Sequence, residues 1–188
     1  MISAKINSGL FGGRVLILPP QTITRAVSSK VRASIFSKLD VGGMSVLDLF
    51  AGGGTLGLEA LSHGASEVTF VDISSLAIKA IRQNVISLSV ADSVSIIKSD
   101  AMRYISKNPG AYDIVFLDPP YKEFSNALVK STSNLVQLDG ILVISCSSKF
   151  NLEVPMELSL LDQKDYGDTK IAFFKKPNNN SMPGWWNW

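Results

Sequence analysis

The chain is poor in the side chains that build metal centres and disulfide frameworks, with one cysteine and one histidine among 188 residues. The lone thiol, Cys146, sits inside the apolar run ILVISC, so a buried, inert group in a reducing compartment is expected. His63 falls where a helix C-terminus would welcome its charge and is assigned no chemistry. No metal is expected. No stretch approaches the ~18 uninterrupted apolar residues that a membrane span needs. The opening MISAKINSGL has no apolar run of the signal-peptide kind. The expectation is therefore a cytoplasmic protein with no membrane partner, read as a monomer. Apolar residues still make up 46% of the chain, enough for one domain with a sizeable core.

Negative charge is missing from the start of the chain. No carboxylate precedes Asp40, while Lys5, Arg14, Arg25, Lys30, Arg32 and Lys38 all do. The net charge of +2 thus hides a basic arm on a mildly acidic body, the pattern of a protein that meets a polyanion at one end. The arm, residues 1–40, is expected to contact that polyanion through Arg14, Arg25, Lys30 and Arg32. It contains a possible short strand over 13–18 and a helix over 27–39. The other end, 177–188, is polar and then tryptophan-rich (PNNNSMPGWWNW), and is expected to dock only loosely.

Between these ends, over 41–176, short apolar runs alternate with helical patterns. SVLDLF (45–50), EVTFVD (67–72), SVSIIK (93–98), YDIVFLD (112–118) and GILVISC (140–146) read as strands. Several are almost continuously apolar, as parallel strands covered on both faces are. Residues 55–63, 74–88, 101–107 and 124–136 read as helices, with Ser74 as an N-cap and Gly64 as a stop. Such alternation predicts a doubly wound α/β sheet with right-handed crossovers. KIAFFKK (170–176) is expected to add a late antiparallel strand.

The first strand runs into LDLFAGGGTLGLEA (47–60), a glycine-rich turn where a ligand can approach bare backbone beyond the strand ends. GGGTLG fits the dinucleotide spacing formally at Gly52, Gly54 and Gly57. Asp48 just before it, however, would repel a pyrophosphate and suit a cationic ligand instead. Asp72 closes the second strand, placed to accept both hydroxyls of a ribose, and Asp100 closes the third beside Ala101, where an adenine edge could be read. One acidic strand end is easily a loop cap. Four in succession, Asp48, Asp72, Asp100 and Asp118, point to the nucleoside and cationic tail of S-adenosylmethionine. The expected cofactor set is Asp48, Phe50, Ala51, Gly52, Gly54, Asp72, Ile73, Asp100 and Ala101.

The fourth strand ends in FLDPPY, where two prolines must stop the ladder and stiffen what precedes them. An exocyclic amine on a nucleobase is a poor nucleophile, because its lone pair is delocalised into the ring. The Asp118 carboxylate and the Pro119 carbonyl could each accept one of its N–H groups, held in aim by Pro119 and Pro120. Tyr121 offers a face on which an extruded base can stack.

DLFAGGGTLGLEALSHGA, FVD and VFLDPPY resemble the bacterial small-subunit ribosomal RNA (guanine-N2)-methyltransferases, which modify one guanine of 16S rRNA. The resemblance runs from about Gly12 to Lys176. GLFGGRVL and TRAVSSKVRASIF are similar to the family's early segment, with Arg25, Val31 and Arg32 matching it. Ala26 and Val27 stand where that family has Pro and Thr. The resemblance implies a mostly parallel, seven-stranded Rossmann-like methyltransferase sheet with a short basic N-terminal appendage. It also implies S-adenosylmethionine as cofactor, Asp118 to Tyr121 as the catalytic strip, and 16S rRNA in the small ribosomal subunit as partner. Methylation of an adenine N6 or a glutamine amide, or binding without turnover, remain open at this level.

Overall fold

A computed structural model of the chain describes residues 3–20, 27–108 and 112–178. In chain order the elements are β1 (Ser3–Lys5), β2 (Val15–Ile17), α1 (Ser29–Phe36), β3 (Ser45–Leu49), α2 (Thr55–Ser62), β4 (Glu67–Asp72) and α3 (Ser75–Leu88). They continue with β5 (Val94–Lys98), α4 (Ala101–Ile105), β6 (Tyr112–Leu117), α5 (Asn126–Thr132), β7 (Val136–Ser147), β8 (Ser159–Tyr166) and β9 (Thr169–Lys175). Seven strands form one sheet in the order β5-β4-β3-β6-β7-β9-β8. The pairs from β5 to β7 are parallel, and β9 runs antiparallel to both β7 and β8.

The apolar strands are buried on both faces, as their sequence requires. Along β3, Val46 joins one core while Leu47 and Leu49 join the other; along β6, Phe116 faces the first and Val115 and Leu117 the second. Successive strands step outward from β3 on one side to β4 and β5, and on the other to β6 and β7. The chain order thus reverses between β3 and β6, which opens a crevice beyond their carboxyl ends. Within the described residues no helix is long and apolar enough to cross a membrane.

Expected and observed elements agree closely through the parallel part and depart at its edges. Ser74 does cap α3, accepting from the Ala77 N–H at 3.4 Å, and Gly64 does adopt a left-handed φ of 95° after α2. The helix expected over 124–136 is only Asn126–Thr132, followed by a single 3₁₀ turn. Strand β7 begins at Val136 rather than at Gly140, with a register irregularity against β6 and Asp139 in the left-handed region. Strand β8 has no counterpart in the sequence reading. Its residues are mostly exposed and paired to β9 alone, so no apolar pattern announces it.

The first forty residues are less of an appendage than expected. The β1–β2 hairpin and α1 deliver Ile6, Leu16, Val31, Ile35 and Phe36 to the same core as β3 and β4. Two buried polar residues fasten them. Glu59 of α2 accepts from the backbone N–H groups of Asn7 (2.8 Å) and Ser8 (3.2 Å). Asn84 of α3 accepts from the Ile17 N–H at 2.8 Å and donates to the carbonyls of Ile17 and Gly53. Arg25, Ala26 and the tryptophans of the tail lie outside the described residues.

Candidate active site

The glycine turn between β3 and α2 needs left-handed backbone three times, at Phe50 (φ 66°), Gly52 (φ 55°) and Gly54 (φ 76°). Gly53 is required for a different reason: a Cβ there would lie 2.4 Å from Leu18 Cδ2, where the segment after β2 crosses the loop. Two carboxylates hold the turn in place. Asp72, at the end of β4, accepts from the Gly52 N–H through Oδ2 and from the Ser74 N–H through Oδ1, both at 2.8 Å. Asp48, 2% exposed, accepts from the Gly57 N–H at 2.9 Å. It thereby satisfies one of the orphan donors in the first turn of α2. Burial pushes the Asp48 carboxyl well above its ordinary range, and the negative charges of Asp118 and Asp72 push the same way.

Asp48, Asp72 and Asp118 thus stand close enough at the switch point for their charges to act on one another. An anionic ligand meets only oxygen acceptors there, whereas a cation or a hydroxyl donor meets partners that each retain lone pairs. The residues fit a nucleoside with a positively charged tail. Ile73 stands largely exposed just past Asp72, and Ala101 is buried at the start of α4. Asp100, just past the end of β5, also has a local backbone role. It caps α4, accepting from the Arg103 N–H at 2.9 Å, which is the local role that a single acidic strand end most often has.

Asp118 follows the last ladder residue of β6, and Pro119 behind it is buried. Burial raises the Asp118 carboxyl to about 6, and a hydrogen bond from the buried Ser145 hydroxyl of β7 opposes that rise. The tip closes with a turn in which the Glu123 N–H donates to the Pro120 carbonyl at 2.8 Å. Tyr121 is 51% exposed, and its hydroxyl meets Thr169 Oγ1 of β9 at 2.9 Å. One end of its ring is held while the face stays open. Neither Ser145 nor Thr169 was legible as a site residue. Ser145 leaves one trace, a hydroxyl inside the apolar run ILVISC.

The basic residues of the arm do not form one patch. Arg14 donates to the Ser87 carbonyl (2.7 Å) at the C-terminus of α3. Since α3 starts at the carboxyl end of β4 and runs back toward the start of β5, this places Arg14 at the opposite end of the sheet from the crevice. Arg32 is 3% exposed. Its guanidinium donates to the carbonyls of Val27 (2.6 Å) and Lys5 (2.8 Å) and pairs with Glu59 at 3.5 Å, so in this fold it meets protein, not phosphate. Lys30 is exposed on α1, and Arg25 lies outside the described residues. Among the described residues no group of three or more His, Cys, Asp or Glu could hold a metal ion.

A family model described as conserved hypothetical protein 95 matches residues 4–175. Ribosomal RNA small subunit methyltransferase D of Escherichia coli K12 is 31% identical over 140 residues, covering 73% of this chain and 69% of the relative. The protein of that name from Buchnera aphidicola subsp. Baizongia pistaciae is 31% identical over 190 residues, covering 96% and 94%. Among solved structures, the Escherichia coli protein yhhF superposes with a TM-score of 0.84 at 25% identity, over 94% of this chain and 99% of that one. A match along almost the whole described fold, at these identities, leaves one assignment: the chain belongs to the conserved hypothetical protein 95 family, together with the relatives named ribosomal RNA small subunit methyltransferase D.

Proposed function

We propose that the chain transfers a methyl group from S-adenosylmethionine to the exocyclic N2 amine of a guanine in 16S rRNA of the small ribosomal subunit. The observation that carries this reading is the stiffened Asp118 tip, set at the switch point beside Asp48 and Asp72. The cofactor supplies a methyl on a sulfonium, an electrophile that needs little activation. The work left to the protein is to aim the amine. Asp118 accepts one N–H and the Pro119 carbonyl the other, so both bonds strengthen as positive charge develops on nitrogen. Tyr121, tethered by Thr169, presents its open face to the extruded base. After transfer the amine is more acidic, and Asp118 is the nearest group to take its proton; a strong base is not required. Asp72 keeps lone pairs for ribose hydroxyls after its two backbone bonds, and the glycine turn admits the tail.

Cofactor binding is tested by titration calorimetry. Asp72→Ala should weaken S-adenosylmethionine binding by at least the ~1 kcal/mol of one lost hydrogen bond, and by more if the Gly52 turn relaxes. Tight NADH binding with no measurable affinity for S-adenosylmethionine would contradict the assignment.

The pH profile tests the role of Asp118. The carboxylate, not the carboxylic acid, accepts the amine N–H. With its pKa raised to about 6, kcat/KM should fall as pH drops below that value and level off above it. Ser145→Ala removes a donor that favours the charged form, so the half-point should move to higher pH. A profile flat from pH 5 to 8, or a half-point unmoved in Ser145→Ala, would exclude this role.

A further inference from the structure

Beside the catalytic tip lies a cleft of about 360 Å³ with no part in the mechanism above, lined by Ser28, Lys30, Lys164, Asp165, Tyr166 and Gly167 among others. It separates the start of α1 from the β8–β9 hairpin. We propose that this cleft binds a phosphodiester of the RNA strand that carries the target base, with Lys30 and Lys164 as its cationic walls. The inference rests on the methyl-transfer reading above for the position of the target base, and on the following geometry for the rest.

The cleft adjoins the tip through the hairpin itself. Thr169, whose hydroxyl holds Tyr121, pairs across the hairpin with Tyr166, and Tyr166 is a wall of the cleft. A base stacked on Tyr121 therefore has its neighbouring backbone beside that wall. The charge of the cleft is positive, although an aspartate borders it. Residues 164 and 166 lie on one face of β8, where Lys164 Nζ stands 5.6 Å from the centre of the Tyr166 ring. Tyr166 packs against the core on the α1 side and its hydroxyl meets Ser34 of that helix. Asp165 points to the other face, where its charge acts on Cys146 in the second core. Lys38, just past the end of α1, is neutralised by Asp162. Among the described residues, Lys30 and Lys164 have no carboxylate within ion-pair distance, so both remain available to a phosphate. Two lysines without a base-reading side chain supply affinity and register, and leave recognition to the shape of the RNA.

The test uses the full chain and purified small ribosomal subunits. Lys30→Glu with Lys164→Glu is compared with Lys107→Glu with Lys130→Glu, which makes the same charge change on exposed residues of other surfaces. The cleft variant should bind subunits at least about tenfold more weakly, and the slope of log affinity against log salt should become shallower by up to about 1.4. Its S-adenosylmethionine affinity should match wild type, as should its thermal midpoint. Should the glutamates lower that midpoint, Lys30→Gln with Lys164→Gln replaces them, with the same shallower slope expected. Subunit affinity and salt slope equal to those of the control pair would overturn the proposal, as would wild type that binds no subunits. A wild-type chain that binds subunits through these lysines yet methylates nothing would uphold the cleft and reject the enzymatic reading.

Discussion

Asp118→Ala should cut methyl transfer by about a thousandfold while leaving S-adenosylmethionine affinity within about twofold. The magnitude is that of losing one preorganised hydrogen-bond partner aimed at developing charge. The direction follows from what Asp118 touches. Its side chain takes part in no hydrogen bond to the glycine turn, which is held by Asp48 and Asp72 instead. Cofactor binding therefore survives the substitution. The fold should survive as well, because a group whose carboxyl is raised by burial is costing stability near neutral pH, not supplying it. Single-turnover transfer and calorimetry on the same preparation separate the two effects. Full turnover in the variant would remove Asp118 from the mechanism, and loss of cofactor binding would move it into the cofactor site.

The largest effect on stability is expected at Glu59, a residue remote from the chemistry. Glu59→Ala should lower the unfolding free energy by about 3–5 kcal/mol. Glu59 is 1% exposed and accepts from the N–H groups of Asn7 and Ser8 as well as from Arg32. Its loss strands a buried guanidinium and two backbone donors together. Adding Arg32→Met should recover part of the loss, since the isolated charge is then gone. Denaturant unfolding at constant m-value measures both. A change below about 1 kcal/mol in Glu59→Ala would show that water or another acceptor replaces the carboxylate. The same contacts alter the expectation for Arg32→Ala, which should unseat the arm from α2 and not simply remove a phosphate contact.

The parallel sheet was legible because several of its strands are almost continuous apolar runs, most of them closed by an aspartate or a glycine turn. Coverage of the central strands on both faces followed from that pattern, whereas their register is set by the pairing itself. The Asp-Pro-Pro-Tyr tip was legible because proline chemistry permits few alternatives after a strand. Other features depend on partners far away in sequence. Arg32 sits on a short helix whose pattern looks the same whether the guanidinium meets RNA or Glu59, and only the packing of α1 on α2 decides. Thr169 becomes a site residue because β9 returns antiparallel beside β7 and brings its hydroxyl to Tyr121. Strand β8 exists through its ladder to β9, not through any buried face of its own. Asp100 has in addition a capping bond to α4, which its position before Ala101 would equally have predicted.

The central claim is that Asp118 presents a guanine N2 amine of small-subunit RNA to the cofactor. The most direct measurement incubates the chain with methyl-labelled S-adenosylmethionine and small ribosomal subunits that lack the modification. Protein-free 16S RNA and a short hairpin serve as parallel substrates, and each RNA is digested to nucleosides. The account predicts label in N2-methylguanosine, formed fastest on the particle and absent with Asp118→Ala. Label in N6-methyladenosine, an equal rate on the hairpin, or no transfer to any RNA would contradict it.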